Sequence, residues 1–218
     1  MSYLVGLDLG QAQDYTALAV VEQVGGAPTV LDLSGSAYRR PDPRQRQERH
    51  WEPARYHVRH LERFRLGTPY PDVVKRVQGL CAAPSLGDYE LIVDATGVGA
   101  PVVDLLSEAG LAPIAVTITA GNAVTYEDGG YRVPKRDLVS TLQVLLQTER
   151  LKVAEGLPEA ATLVREMLAF EVKITDTAHD MYGAWREGAH DDLVLAVALA
   201  CWYGERDKGG PLVTIMEY

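Results

Sequence analysis

The sequence predicts an α/β fold in which a central mixed sheet, with three antiparallel strands followed by parallel strands, is flanked by helices. Three observations carry that reading. Short apolar runs separated by turn-like residues open the chain, strand-like runs alternate with stretches of helical period from residue 90 onward, and a segment apolar on every face lies near the end. The 218 residues, 47% hydrophobic and 23% charged, are enough to bury one substantial core, so a single domain over residues 1–218 is expected.

Residues 3–9 and 15–22 read as buried strands joined by Gly10-Gln11-Ala12-Gln13-Asp14, and residues 28–33 follow the turn signal Gly25-Gly26 as a third strand. A basic insertion, about residues 38–76, then interrupts the pattern. Within it, residues 56–64 alternate loosely like a strand. Pro69-Tyr70-Pro71 opens an amphipathic helix to about residue 81, with Val73, Val74, Val77 and Leu80 on one face. Residues 90–94 have the Leu-Ile-Val core of a buried strand, and Gly97 to Gly99 lead into a helix closed by Gly110. Residues 113–119 form the next strand, and this alternation implies parallel strands with right-handed crossovers. Asp128-Gly129-Gly130 marks a hairpin within residues 125–133, and Pro134 opens a helix to about residue 149. A helix over residues 158–169, a strand over 171–175 and a buried helix over 191–204 complete the prediction.

Several function classes are excluded. No run of about 18 uncharged apolar residues occurs, and the N-terminus lacks the basic flank of a secretory signal. Cys81 and Cys201 are too few for a disulfide framework or a four-cysteine zinc site, and a reducing compartment is expected. No Gly-Lys pair exists, so no P-loop ATPase domain is present in these residues. The net charge of -9 argues against holding nucleic acid by bulk electrostatics. Yet residues 38–76 carry eleven Lys or Arg against five acids, +6, which leaves -15 elsewhere. Such a stretch is either a phosphate-facing surface or a solvated arginine-rich loop. Its aromatics Tyr38, Trp51, Tyr56, Phe64 and Tyr70 either stack on bases or pack on the sheet.

Asp8 and Asp94 each end an apolar strand, and Asp191-Asp192 open the buried last helix. An unpaired carboxylate in such a place loses several kcal/mol of solvation. One acid of the pair has a structural use as a helix N-cap, but two neighbours about 100° apart cannot share it equally. Asp14 is a fourth candidate. Carboxylates drawn together raise each other's pKa unless cations neutralise them, and an all-oxygen set suits Mg2+ or Mn2+. Two such ions can activate water and stabilise the leaving oxygen of a phosphodiester. Strand ends and caps are the structural alternative for every one of these acids.

Val5-Gly6-Leu7-Asp8-Leu9-Gly10, followed by Asp14-Tyr15-Thr16-Ala17, resembles the first motif of the nuclease domain of the bacteriophage large terminase subunit. Val93-Asp94-Ala95-Thr96-Gly97-Val98-Gly99 and Gly188-Ala189-His190-Asp191-Asp192-Leu193-Val194-Leu195-Ala196 resemble its second and third, in the same order. The resemblance implies an RNase H-like fold of the RuvC type, with the first strand beside the one carrying Asp94. It also implies two-metal cleavage of double-stranded DNA, the step that cuts concatemeric viral DNA during packaging. By that resemblance Asp8 bridges two Mg2+ or Mn2+ ions, Asp94 completes one site, Asp192 completes the other, and Asp14 and Asp191 are auxiliary ligands. Asp192 ranks above Asp191 because the Leu-Val-Leu-Ala after it matches the motif in phase. His190 either orients a water or phosphate or is a hydrogen-bonding neighbour of the helix start. Lys135, Arg136, Arg39 and Arg40 are candidate contacts to the DNA backbone, with solvated surface as the alternative. Residues 179–188 are either a hairpin controlling access or an ordinary edge strand.

Implied partners are a packaging ATPase domain, a portal ring and a small terminase subunit, and the implied location is the cytoplasm of the infected bacterial host. No membrane role is expected, and the isolated domain is expected to be a monomer that binds DNA weakly. Two competing readings stand beside this one: a Holliday junction resolvase-like nuclease, which would require a symmetric dimer, and a noncatalytic DNA-docking or assembly module. The echo of Gly6-Leu7-Asp8-Leu9-Gly10 in actin-like sugar kinases fails on length, since those enzymes need a second large domain.

Overall fold

β1 (Ser2–Asp8) pairs antiparallel with β2 (Ala17–Val24), placing Asp8 opposite Ala17. β2 pairs antiparallel with β3 (Arg55–Arg63), where Ala17 faces Arg63. The chain returns through α1 (Tyr70–Cys81) to β4 (Tyr89–Asp94), parallel to β1 on its other edge. Then come α2 (Gly99–Glu108), β5 (Pro113–Thr119), the hairpin β6 (Thr125–Glu127) and β7 (Gly130–Pro134), and α3 (Lys135–Gln147). β8 (Leu151–Val153), α4 (Ala160–Asp176) and α5 (Asp192–Arg206) complete the order. The computed structural model describes residues 2–10, 14–26, 53–97, 99–176 and 191–206.

The eight strands run β6-β7-β5-β4-β1-β2-β3-β8 across one sheet. The pairs β1–β4, β4–β5, β5–β7 and β3–β8 are parallel, whereas β1–β2, β2–β3 and β6–β7 are antiparallel. This is the predicted mixed sheet, antiparallel first and parallel afterwards. The third antiparallel strand among the described residues is β3; the strand predicted over residues 28–33 lies outside them, as do residues 38–52 of the basic stretch. From residue 55 that stretch supplies β3 and most of α1.

Both faces of the sheet are covered, which is why β1, β2 and β4 read as continuous apolar runs instead of alternating ones. α1 and α2 cover one face with Val73, Val77, Val102 and Leu106 against Val5, Leu7, Leu18 and Val93. α3, α4 and α5 cover the other, packing Leu138, Leu142, Leu163 and Leu199 against Leu4, Ala19, Val58 and Ile92. α5 is buried without a break from Asp192 to Trp202 because α3 and α4 enclose it. The β6–β7 turn places Asp128 and Gly129 at φ 52° and 79°, the left-handed pair that a tight hairpin requires and that Asp-Gly tolerates.

One prediction is corrected, and one short strand is added. Residues 171–175 belong to α4 and are not a strand. Val172 and Ile174 mimic a two-residue period, but no Gly or Pro interrupts the chain after Leu163, so a helix already nucleated continues through them. β8 was not foreseen, since three residues are too few to show a period.

Candidate active site

Strand register sets up the site. Arg63, Ala17 and Asp8 lie in one lateral row across β3, β2 and β1. The row extends to Asp94, which follows the Leu7–Val93 pair and lies opposite Val116 of β5. Laterally aligned residues share a face, so these side chains emerge together on the α5 side. Arg63 joins them because the β2–β3 register shifts between Val20 and Val21: His60 pairs with Val20, Val58 with Val21, and Arg59 is the extra residue of a bulge. In a regular strand, Tyr56 and Val58 facing α5 would turn Leu61 and Arg63 away from it.

α5 delivers the third carboxylate. A Cβ on Gly6 would lie 1.9 Å from the carbonyl oxygen of Ala196, so only glycine lets the helix backbone settle onto β1. That close approach brings the first turn of α5 to the row. Asp8, Asp94 and Asp192 are 6%, 8% and 4% exposed, three carboxylates in the interior of one end of the sheet.

Each acid has its own support. Asp94 accepts the Thr96 backbone N–H at 2.8 Å and the Thr96 hydroxyl proton, and that hydroxyl oxygen accepts the N–H of Ile118 at 2.8 Å. Asp191 accepts from Lys135 Nζ at 3.0 Å, and its backbone carbonyl takes the N–H of Leu195. The first turn of α5 is capped by Glu166 of α4, whose Oε2 accepts the N–H groups of Leu193 and Val194 at 3.0 and 3.2 Å. The other Glu166 oxygen binds Arg63, whose guanidinium lies 3.6 Å from Asp192 Oδ2 and 4.6 Å above the Tyr15 ring.

The electrostatics are those of crowded acid groups. Burial, then the charges of Asp94, Asp192 and Asp191, and a side-chain hydrogen bond with Asp94 hold the Asp8 carboxyl well above the ordinary aspartate range. Burial pushes Glu166 up to about 7, against the pull of Arg63 and the two backbone amides and with a further push from Asp192. Among the described residues no three His, Cys, Asp or Glu side chains close around one point tightly enough to hold a metal ion as placed. The donor set nevertheless suits a hard divalent cation: it is all oxygen, deeply buried and mutually repelling in a way that added positive charge relieves.

The remaining predicted site residues fall elsewhere. Asp14 is exposed in the β1–β2 connection, and Gly10 there donates its N–H to Thr16 Oγ1. Arg136 is turned toward Asn122 and Asp137. His190, Arg39, Arg40 and the predicted hairpin over 179–188 lie outside the described residues. Sequence reasoning missed Arg63, Thr96 and Glu166. Glu166 carried a signal, because it occupies the stripe of Leu163 and Met167 that packs on the core.

A mixed sheet of this strand order, flanked by helices on both faces, is an RNase H-like fold. The fold is that of a large terminase nuclease. The crystal structure of the large terminase nuclease from thermophilic phage G20c is similar at a TM-score of 0.53 with 19% identity, covering 91% of this chain and 80% of that one. The human cytomegalovirus terminase nuclease domain, Mn soaked, gives a TM-score of 0.43 at 14% identity over 91% and 81%. Its inhibitor-bound form gives 0.47 at 12% over 92% and 83%. No protein-family model and no curated protein sequence matches the chain.

Proposed function

We propose that this protein is a divalent-metal-dependent endonuclease that hydrolyses phosphodiester bonds of double-stranded DNA, serving the step that cuts concatemeric viral DNA during genome packaging in an infected bacterial cell. The observation that supports this most directly is the convergence of Asp8, Asp94 and Asp192 from β1, β4 and α5 into one buried, electrostatically coupled group. Crowding of this kind costs stability and is tolerated for function. Asp8, between the other two, would be shared by two Mg2+ or Mn2+ ions, with Asp94 and Asp192 each holding one. When bound, such ions supply an activated water and stabilise the leaving oxygen.

The chain's own residues do the rest. Thr96 fixes the Asp94 carboxylate through two donors that both fall on Oδ1. Lys135 holds Asp191 at the rim, where a lysine also suits a DNA phosphate. Asp191 is thereby committed to Lys135, which favours Asp192 as the inner ligand. An ATPase domain, portal ring and small terminase subunit are the proposed partners, because a domain of net charge -9 holds DNA weakly by itself.

The test is conversion of supercoiled plasmid to nicked and linear forms with Mn2+, Mg2+ or EDTA, using wild type beside Asp8→Asn. Metal-dependent cutting by the wild type alone is expected. Wild type that neither cuts nor is stabilised by either metal would return the acids to a structural role in a DNA-docking module. Selective cutting of branched DNA by a symmetric dimer would favour a resolvase instead.

A further inference from the structure

We propose that Arg63 and Glu166 are positioning residues that aim Asp192 at Asp8 and Asp94 and thereby set the affinity of this carboxylate group for divalent cations. The inference rests on the metal-dependent reading above and adds two residues that neither the motifs nor the strand-end argument identifies.

Labour is divided at the start of α5. A helix whose first N–H groups are buried needs an acceptor, and the side chain of the residue just before the helix, here Asp191, ordinarily provides it. Here Glu166, 7% exposed and on a different helix, accepts from Leu193 and Val194. Capping of these amides is therefore done from α4, while Asp191, at the N-cap position, binds Lys135 and Asp192 stands beside Arg63.

Arg63 stands between the capping acid and Asp192. One guanidinium nitrogen, Nη2, serves both Glu166 Oε1 and the side of Asp192 Oδ2. The Tyr15 ring beneath the guanidinium restricts its tilt, and the bulge at Arg59 gives the strand the parity that points Arg63 inward. β3, α4, α5 and the β1–β2 connection thus meet at one guanidinium. The shared nitrogen belongs to a rigid plane seated on the Tyr15 ring, whereas a lysine carries its charge at the end of a flexible stem with no such seat.

A merely structural ion pair exists for comparison. At the opposite end of the sheet Arg150 binds Glu205 through two nitrogens at 3.0 Å and touches none of the site carboxylates. Removing it should cost stability without altering the metal site.

The experiment titrates Mn2+ against thermal unfolding for wild type, Arg63→Lys, Glu166→Gln and Arg150→Lys, with circular dichroism of the metal-free proteins as the check of fold and plasmid cutting as a second readout. Arg63→Lys and Glu166→Gln are expected to raise the half-maximal Mn2+ concentration by about tenfold or more, the usual effect of losing a partner that orients a metal ligand. Saturating Mn2+ should recover much of the cutting. Arg150→Lys is expected to lower Tm and leave the Mn2+ midpoint in place. An unchanged midpoint in folded Arg63→Lys overturns the proposal, and that variant decides alone if Glu166→Gln does not fold. Wild type that neither cuts nor responds to Mn2+ overturns the metal reading itself, a result distinct from a normal wild type beside normal variants.

Discussion

Asp8 shows how one residue can cost stability and still be required. It ends a strand whose other side chains from Leu4 onward are buried, and its nearest charges have its own sign. Asp8→Asn keeps the shape and removes one charge, so the metal-free variant should be more stable than wild type by about 1 kcal/mol, or about 2–4 °C in Tm. Cutting should fall by at least about a hundredfold. Opposite movements of Tm and activity in one variant would mark the residue as functional; a fall in both would mark it as structural. The same crowding has a pH signature. Asp8 and Glu166 bind protons more tightly in the fold than in the unfolded chain, whose reference values are 3.8 and 4.5. Their contribution is complete below those values and is lost as pH rises toward about 7, the folded value of Glu166. Metal-free Tm should therefore decline as pH climbs through that window, and saturating Mn2+ should flatten the decline. A Tm that rises over the same window without metal would contradict the crowded-acid account.

Among the elements, α5 joins fold to site. Its contact with β1 depends on Gly6, and Gly6→Ala must push the helix away from a carbonyl that leaves no room for a methyl group. Destabilisation of about 3 kcal/mol or more is expected from a urea unfolding curve. Residual folded protein should cut poorly even at saturating metal, since Asp192 travels with the helix. The sequence made α5 legible because no polar stripe interrupts it, and made Asp8 and Asp94 legible because a charge ending an apolar strand is expensive. Glu166 and Arg63 were opaque for a different reason. They lie 103 positions apart, and their meeting depends on a bulge that leaves no trace in local periodicity. Residues 171–175 and β8 failed at the other extreme, where a short β-branched pattern either misleads or is too brief to register.

Across the whole molecule, the two ends of the sheet have different duties. Tyr56 and Arg63 bracket β3, and about six residues of strand, roughly 20 Å, separate their rows. At the Tyr56 end the buried phenol donates to Glu205 at 2.8 Å, and Arg150 completes that network. Burial and Glu205 push the Tyr56 hydroxyl far above the ordinary tyrosine range, so it stays protonated as a donor at any physiological pH. Tyr56→Phe should cost about 1 kcal/mol of stability and leave cutting and the Mn2+ midpoint untouched, as read by urea unfolding beside the plasmid assay.

The bulge at Arg59 makes the length of β3 a matter of odd and even numbers. Because Arg59 is the surplus residue, excising it would leave Leu61 and Arg63 facing α5 and forfeit its bonds to Glu22 and His57. Inserting one more residue into a stretch unable to absorb a second surplus would turn Arg63 toward the apolar side and strand Glu166 without its counter-charge. Chains of this architecture can therefore shorten here at little cost, whereas lengthening by one would undo the acidic end of the sheet from a distance.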